Sequence, residues 1–429
     1  MFSNYNPTAL RVLLGPQYHI VETPGLKLPY ALIERAIIFT TAKRPKDTMK
    51  AFSLSRKTVA KALSDLAPSV TVQDVANVVR KMNLSPVRAM YAMTRNVTAF
   101  DKPVSTKKLR IAVPTLFKIL IEDNTVKIKP NHVLHDNPVK FYLLKYGHTK
   151  EFTNKLLFYV HGGAFVGPKA APLNNFYLKD FANKLKGLKI LSMDHTPAPE
   201  APFPVALQQV LDTYLWLTSG REDVLQKVGF YPEEIVLLGD SSGGNIIASL
   251  TVILNELRGM GLGVKPFMPR SVVLCFPKTS LQFDLFPSLC LSVFDPIISI
   301  QLMIAACIAY VPFLKRDENG NWNLVQDNTT IPMDFLIRDE YKVLESPLLS
   351  PIRYQKLDQL SDVQLHVMAV ANDPLLDESI EMVRQWKGPV KLHVVEGVTH
   401  GAFIFNYFSK VGTKCVPLTT DIIRRAFFD

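Results

Sequence analysis

Cysteine is scarce in this chain. Four residues, Cys275, Cys290, Cys307 and Cys415, stand far apart among 429. They are too few for a disulfide scaffold and lack the C-x-x-C spacing of a zinc site. A reducing, intracellular setting fits that usage, cytoplasmic rather than secreted, and no metal ligand set is expected. Met1 to Ile20 has no basic stretch followed by an apolar core, so neither a signal peptide nor a signal anchor is expected. Internal repeats and low-complexity tracts are absent. Charged residues reach only 20% against 48% hydrophobic, which excludes a globally disordered chain and implies a sizeable core. At this length the chain holds either one large α/β domain with an extra region or two to three smaller domains.

Acidic residues are sparse in one place. The first 150 residues carry 24 Lys and Arg against 9 Asp and Glu, leaving 25 against 29 for the rest, so the formal +11 belongs to the N-terminal third. Such a region suits an anionic lipid droplet or membrane surface better than nucleic acid, and a plain solvated basic face equally well. Long apolar runs are rare too. The one that stands out, Ile297 to Leu314, contains Gln301 and Pro312 and follows Asp295-Pro296. A buried or pocket-lining helix is favoured there over a membrane span.

Residues 1–106 read as a mainly helical, basic cap or regulatory region, with helical spacing in Thr48 to Leu66 and Val72 to Met93 between Pro45, Pro68 and Pro86. From Lys107 the texture changes to short β-like runs, Lys127 to Leu134 and Val139 to Lys145. Strand and helix then alternate: Leu156 to Val160, Phe176 to Leu185, Lys189 to Met193, Leu207 to Leu217, Ile235 to Leu238, Asn245 to Leu257 and Ser271 to Phe276. Two later strands are expected at Gln364 to Val370 and Val390 to Val395. Alternation of this kind predicts an α/β fold, a mostly parallel twisted sheet with helices on both faces, spanning 107–429. The alternation lapses over about 281–345, which reads as a cap insertion, with Leu281 to Val311 helping to roof a pocket.

Gly239-Asp240-Ser241-Ser242-Gly243 is a G-x-S-x-G turn between a β-rich run and a helix-like run. Such a turn lifts a serine hydroxyl onto the amino end of a helix, where unpaired N–H groups favour developing negative charge. Alone the pattern is weak, so its partners must carry the claim. An α/β hydrolase places an acid and then a histidine on later loops. Asp373 stands in the loop after the strand ending at Val370, whereas Asp377 lies a turn further on and opens a helix; placement favours Asp373. Only His393 and His400 follow. His393 falls inside a strand and His400 just past it, before Gly401, so chain order favours His400. For the oxyanion the expected donors are the N–H groups of Ser242, after the nucleophile, and of Gly163 and Ala164, in the loop after Leu156 to Val160.

Together His161-Gly162-Gly163-Ala164-Phe165, Gly239 to Asn245, Asp373-Pro374-Leu375-Leu376-Asp377-Glu378 and His400-Gly401 resemble the hormone-sensitive lipase family of α/β hydrolases. Asp194 to Pro204 is similar to a further landmark of that family. The segments Leu291 to Tyr310 and Ser346 to Ile352 resemble the animal hormone-sensitive lipases most. The resemblance covers about Leu156 to Phe405 and implies a serine esterase or lipase of lipid catabolism, without cofactor, acting on apolar esters such as acylglycerols or sterol esters. Departures are visible. Ala164 stands where a third glycine is commoner, and His195 and Pro197 replace the usual tyrosine and leucine. Glu200 is expected to be structural, a buried carboxylate tying loops together. The polar stretch Lys315 to Thr330 is short where the animal lipases carry a long phosphorylated insertion. Two other classes compete: a non-catalytic small-ligand-binding protein on the same fold, and a lipid-surface adaptor acting through residues 1–150.

Overall fold

Five consecutive apolar side chains, Leu156 to Val160, are fully buried. Leu156, Phe158 and Val160 enter one hydrophobic cluster and Leu157 and Tyr159 another. Period-two alternation therefore sends the strand's side chains into two separate cores, the signature of a strand covered on both faces. Each such aliphatic or aromatic side chain contributes roughly 1.5–3 kcal/mol by leaving water.

The computed structural model describes residues 18–21, 69–71, 104–133, 135–167, 170–260, 266–282, 286–293, 295, 297–298, 300–324, 330–332, 341–405 and 414–429. The helices expected within Thr48 to Leu66 and Val72 to Met93 lie outside them. Among the described residues one sheet dominates. Its strands are β1 (Tyr18–Val21), β2 (Ser105–Pro114), β3 (Asp136–Lys145), β4 (Lys155–Val160), β5 (Lys189–Met193), β6 (Glu234–Asp240), β7 (Ser271–Cys275), β8 (Gln364–Asn372) and β9 (Val390–Thr399). They lie side by side in the order β1-β9-β8-β7-β6-β4-β5-β3-β2. Pairings from β1 across to β5 are parallel. The last two, β5 with β3 and β3 with β2, are antiparallel. The expected mostly parallel sheet is thus present. Beyond the expectation, β1 extends its edge, and Ser69–Thr71 pairs with Thr330–Pro332.

Helices cover both faces. The helices α2 (Val205–Leu217), α4 (Ser242–Gly259) and α6 (Leu376–Gln385) bury Leu207, Leu250 and Val383 in the first cluster. The helices α1 (Ala170–Lys184) and α7 (Cys415–Phe428) bury Phe181 and Ile422 in the second. Between α2 and α4 lies the short α3 (Glu222–Val228). Helix α7 was not anticipated from the sequence; it is tied to the sheet where Ser271 Oγ donates to the Ala426 carbonyl at 2.7 Å.

The apolar run folds as α5 (Ile300–Tyr310), of 11 residues. At 1.5 Å per residue it reaches about 16 Å, half of a bilayer core. Among the described residues no helix is long and apolar enough to cross a membrane. Met303 to Tyr310 are buried, in keeping with the pocket-lining helix expected there.

Register fixes where chemistry can gather. Val160, Gly239, Leu274 and Val367 stand in one row across β4, β6, β7 and β8. The loops following these strands therefore open on one edge, the carboxyl edge, where ligands meet open α/β sheets.

Candidate active site

Ser241 has φ 53° and ψ −122°, a backbone conformation that L-residues rarely hold. The turn is fixed by hydrogen bonds at both sides. Ser241 N donates to the Cys275 carbonyl at 2.9 Å, and the Ser241 carbonyl accepts from Lys278 N at 3.1 Å. The glycines allow the close packing this requires: a Cβ on Gly243 would sit 2.2 Å from the Val160 carbonyl oxygen and 2.6 Å from that of His161. A Cβ on Gly239 would meet the Gly243 carbonyl at 2.4 Å. Helix α4 begins at the next residue, Ser242.

From this elbow a hydrogen-bonded chain runs inward. Ser241 Oγ lies 2.9 Å from His400 Nε2, and His400 Nδ1 lies 2.9 Å from Asp373 Oδ2. Asp373 Oδ1 accepts from Leu375 N at 2.8 Å, which orients the carboxylate. The three side chains are 8%, 3% and 0% exposed, so their contacts operate outside bulk water. Burial opposes protonation of His400, but the charge of Asp373, the hydrogen bond to it, and the charges of Asp295 and Asp240 outweigh that and raise its basicity. The Phe276 ring packs edge-on against the imidazole, centroids 5.2 Å apart.

The two alternatives fall elsewhere. Asp377 accepts from Ser288 N at 2.7 Å, whereas the histidine's bond goes to Asp373. His393 is buried within β9, its ring 6.2 Å from that of His366. Strand β9 runs four residues longer than expected, to Thr399, after an irregularity in its pairing with β8 between Val370 and Asn372. That extension delivers His400 to the sheet edge beside Asp373.

The loop after β4 bends with positive φ at Gly163 (127°), Ala164 (54°) and Phe165 (63°). Phe165 N donates to Ser242 Oγ at 3.0 Å, fastening the loop to the elbow. The N–H groups of Gly163, Ala164 and Ser242 donate to no acceptor among the described residues. Gly162 sits where a Cβ would press 2.6 Å from the Asp240 carbonyl oxygen. His161 stacks on His195, ring centroids 4.2 Å apart and planes 7° from parallel. Burial holds both imidazoles uncharged, His161 lowered to about 4 and His195 to about 3. The histidine that replaces the expected tyrosine is thus a stacking partner of the loop.

Glu200 corrects an expectation. It is exposed, not a buried carboxylate. Backbone bonds tie the loops near it: Ala198 N donates to the Phe165 carbonyl at 2.9 Å and Phe203 N to that of Tyr310 at 2.8 Å.

A small pocket of about 30 Å³ opens above Ser241. Its lining includes Ala164 and Phe165 of the loop, Met303 and Cys307 of α5, Leu375, and Lys278. Phe165 also stacks on Tyr310, centroids 4.0 Å apart, which joins α5 to the loop. The expected roofing by Leu281 to Val311 is supplied by Ile298 and α5. Among the described residues no group of three or more His, Cys, Asp or Glu could hold a metal ion.

A family profile described as the alpha/beta hydrolase fold matches residues 157–404, more than half of the chain. The chain belongs to the α/β-hydrolase fold family. Within it the resemblance to hormone-sensitive lipases holds. The hormone-sensitive lipase of Mus musculus is 34% identical over 163 residues, covering 38% of this chain and 20% of that lipase. The Homo sapiens one is 31% identical over 192 residues, covering 45% and 16%. The chain therefore spans about a fifth of the length of these relatives. A solved bacterial heroin esterase superposes with a TM-score of 0.60 at 20% identity, covering 86% of this chain and 97% of that one, a likeness of fold.

Sequence reasoning missed several groups of this α/β hydrolase's site. Asp240, the residue before Ser241, accepts from the Tyr159 hydroxyl and, at 3.2 Å, from Gly162 N. Tyr159 also meets the Tyr177 hydroxyl. Burial pushes the Asp240 carboxyl up to about 6, against these hydrogen bonds. Asp295 is buried and accepts from Ile297 N and Ile298 N at 2.7 and 2.8 Å. Lys278 pairs with Glu378 beside the pocket. Asp240 and Lys278 are polar residues in apolar surroundings, which was the available signal, but their partners lie 81 and 100 residues away along the chain.

Proposed function

We propose that the protein is a serine carboxylic ester hydrolase that cleaves apolar acyl esters, with acylglycerols and sterol esters as candidate substrates, through an acyl-serine intermediate. The observation that carries this reading is the unbroken Ser241–His400–Asp373 chain at the floor of a mostly apolar pocket. A serine hydroxyl is a poor nucleophile at neutral pH. His400 Nε2 takes the Oγ proton as Oγ attacks the carbonyl carbon, and Asp373 stabilises the imidazolium and holds its tautomer. The carbonyl electrons move to oxygen, which receives N–H donors from Ser242, Gly163 and Ala164 at the amino end of α4. As the tetrahedral adduct collapses, His400 returns the proton to the departing alkoxide, leaving an ester on Ser241. Water then repeats the sequence and frees the acid.

In this reading residues 107–429 form the catalytic domain, with the cap at about 281–345 supplying the pocket wall through Ile298, Met303 and Cys307. The basic residues 1–106 would meet an anionic lipid surface in an intracellular setting, consistent with buried free thiols at Cys275, Cys307 and Cys415. The test is hydrolysis of p-nitrophenyl esters by the native protein and by Ser241→Ala. Turnover confined to the native protein is expected; turnover retained in a folded Ser241→Ala would sink the assignment.

A further inference from the structure

Helix α6 follows directly on the loop that carries Asp373, and Leu375, at its N-cap, makes no side-chain capping bond. The N–H groups of a helix's opening turn have no partner within the helix and need acceptors from elsewhere. One of them, Asp377 N, donates to Ser288 Oγ at 3.1 Å. Ser288 lies 89 residues earlier, in the short 3-10 helix Pro287–Val293 of the cap, and is 2% exposed. Its hydroxyl donates in turn to the Pro374 carbonyl at 2.9 Å, and its backbone N–H donates to Asp377 Oδ2 at 2.7 Å. The exchange between Ser288 and Asp377 is that of a capping box, with the serine supplied by a distant segment.

The same stretch aims the acid. Leu375 N donates to Asp373 Oδ1 at 2.8 Å, and Asp373 Oδ2 meets His400 Nδ1 at 2.9 Å. Ser288 holds Pro374 on one side of Leu375 and Asp377 on the other. Its neighbour Leu289 shares a small hydrophobic cluster with Leu375, Ile298 and Met303, and the last three line the pocket above Ser241. The cap is thus joined to the pocket wall by packing and to the acid loop by hydrogen bonds. Apolar packing is non-directional and tolerates small shifts. A bond between carboxylate and imidazole does not: a misplacement of about 1 Å in a reacting group can cost about a hundredfold in rate.

We propose that Ser288 is a positioning residue: by fixing the backbone on both sides of Leu375 it holds Asp373 against His400, which makes the cap part of the catalytic apparatus as well as a roof. This rests on the hydrolase reading above.

The test is a double-mutant cycle on the full-length protein, read as kcat and KM for p-nitrophenyl butyrate. In Ser288→Ala, kcat is expected to fall about tenfold or more while KM stays within about twofold, because Leu289 and its apolar contacts remain. Ser288→Thr, which keeps the hydroxyl, is expected to recover most of that loss. In the Asp373→Asn background, Ser288→Ala is expected to change kcat by less than about twofold, since the group it positions is already disabled. Equal losses in both backgrounds, an unchanged kcat with or without a rise in KM, or no recovery in a folded Ser288→Thr would overturn the inference and leave the hydrolase reading intact. Ser288→Cys, which keeps the volume with weaker hydrogen bonding, replaces Ser288→Ala in the same cycle if the alanine variant does not fold. Failure of both to fold makes Ser288 a folding residue and overturns the inference too. A native protein without turnover fails the hydrolase reading, and the role of Ser288 falls with it.

Discussion

Asp240→Asn tests whether the residue beside the nucleophile is held at an energetic cost. Its carboxyl rises from an ordinary 3.8 to about 6 because burial disfavours the charged form more than Tyr159 and Gly162 favour it. A carboxyl whose folded value is raised binds its proton more tightly in the folded than in the unfolded chain. Stability is therefore greatest below 3.8 and is lost as pH rises through the interval up to about 6. The rise corresponds to about 3 kcal/mol, an upper bound because Asp240 keeps some contact with solvent. Asparagine has no proton to lose, and its Oδ1 can still accept from Tyr159 and Gly162. Urea unfolding of both proteins at pH 4, 5, 6 and 7 should show the variant gaining stability relative to the native chain as pH rises, by up to about 3 kcal/mol. A stability difference that stays constant from pH 4 to 7 would refute the claim that burial taxes this carboxylate.

Asp373→Asn should lower kcat by roughly 10³–10⁴-fold and move the acidic limb of the pH–rate profile to lower pH, because burial of His400 is then less opposed. Asp377→Asn, which touches Ser288 rather than the histidine, should stay within about tenfold of native; the reverse order in steady-state kinetics would exchange the two acids. Gly243→Ala should abolish soluble, folded protein, since its Cβ would stand 2.2 Å from a backbone oxygen of β4; a native circular dichroism melt would contradict the packing described.

Much of this site was legible because it is written locally. The elbow is a contiguous strand, turn and helix, and its serine needs an acid and a histidine later in the chain; Asp373 and His400 followed from position after β8 and β9. The pocket-lining character of α5 followed from an apolar run interrupted by Gln301 and followed by Pro312. What was not legible is paired across long separations. Tyr159 and Asp240 stand 81 residues apart, and Lys278 and Glu378 stand 100 apart. No periodicity announces such pairs; they exist because β4 lies next to β6 and β7 next to β8. The stack of His161 on His195 likewise depends on β4 lying beside β5. Glu200 misled for a different reason: a carboxylate within a motif was read as buried, whereas the residue is exposed.

The central claim is that Ser241 is a nucleophile activated by His400, and covalent trapping tests it most directly. The native protein should react with a fluorophosphonate probe, and peptide mapping by mass spectrometry should find a single adduct on Ser241, lost in Ser241→Ala and strongly slowed in His400→Ala. A native protein that stays unlabelled, or an adduct on any other residue, would contradict the account.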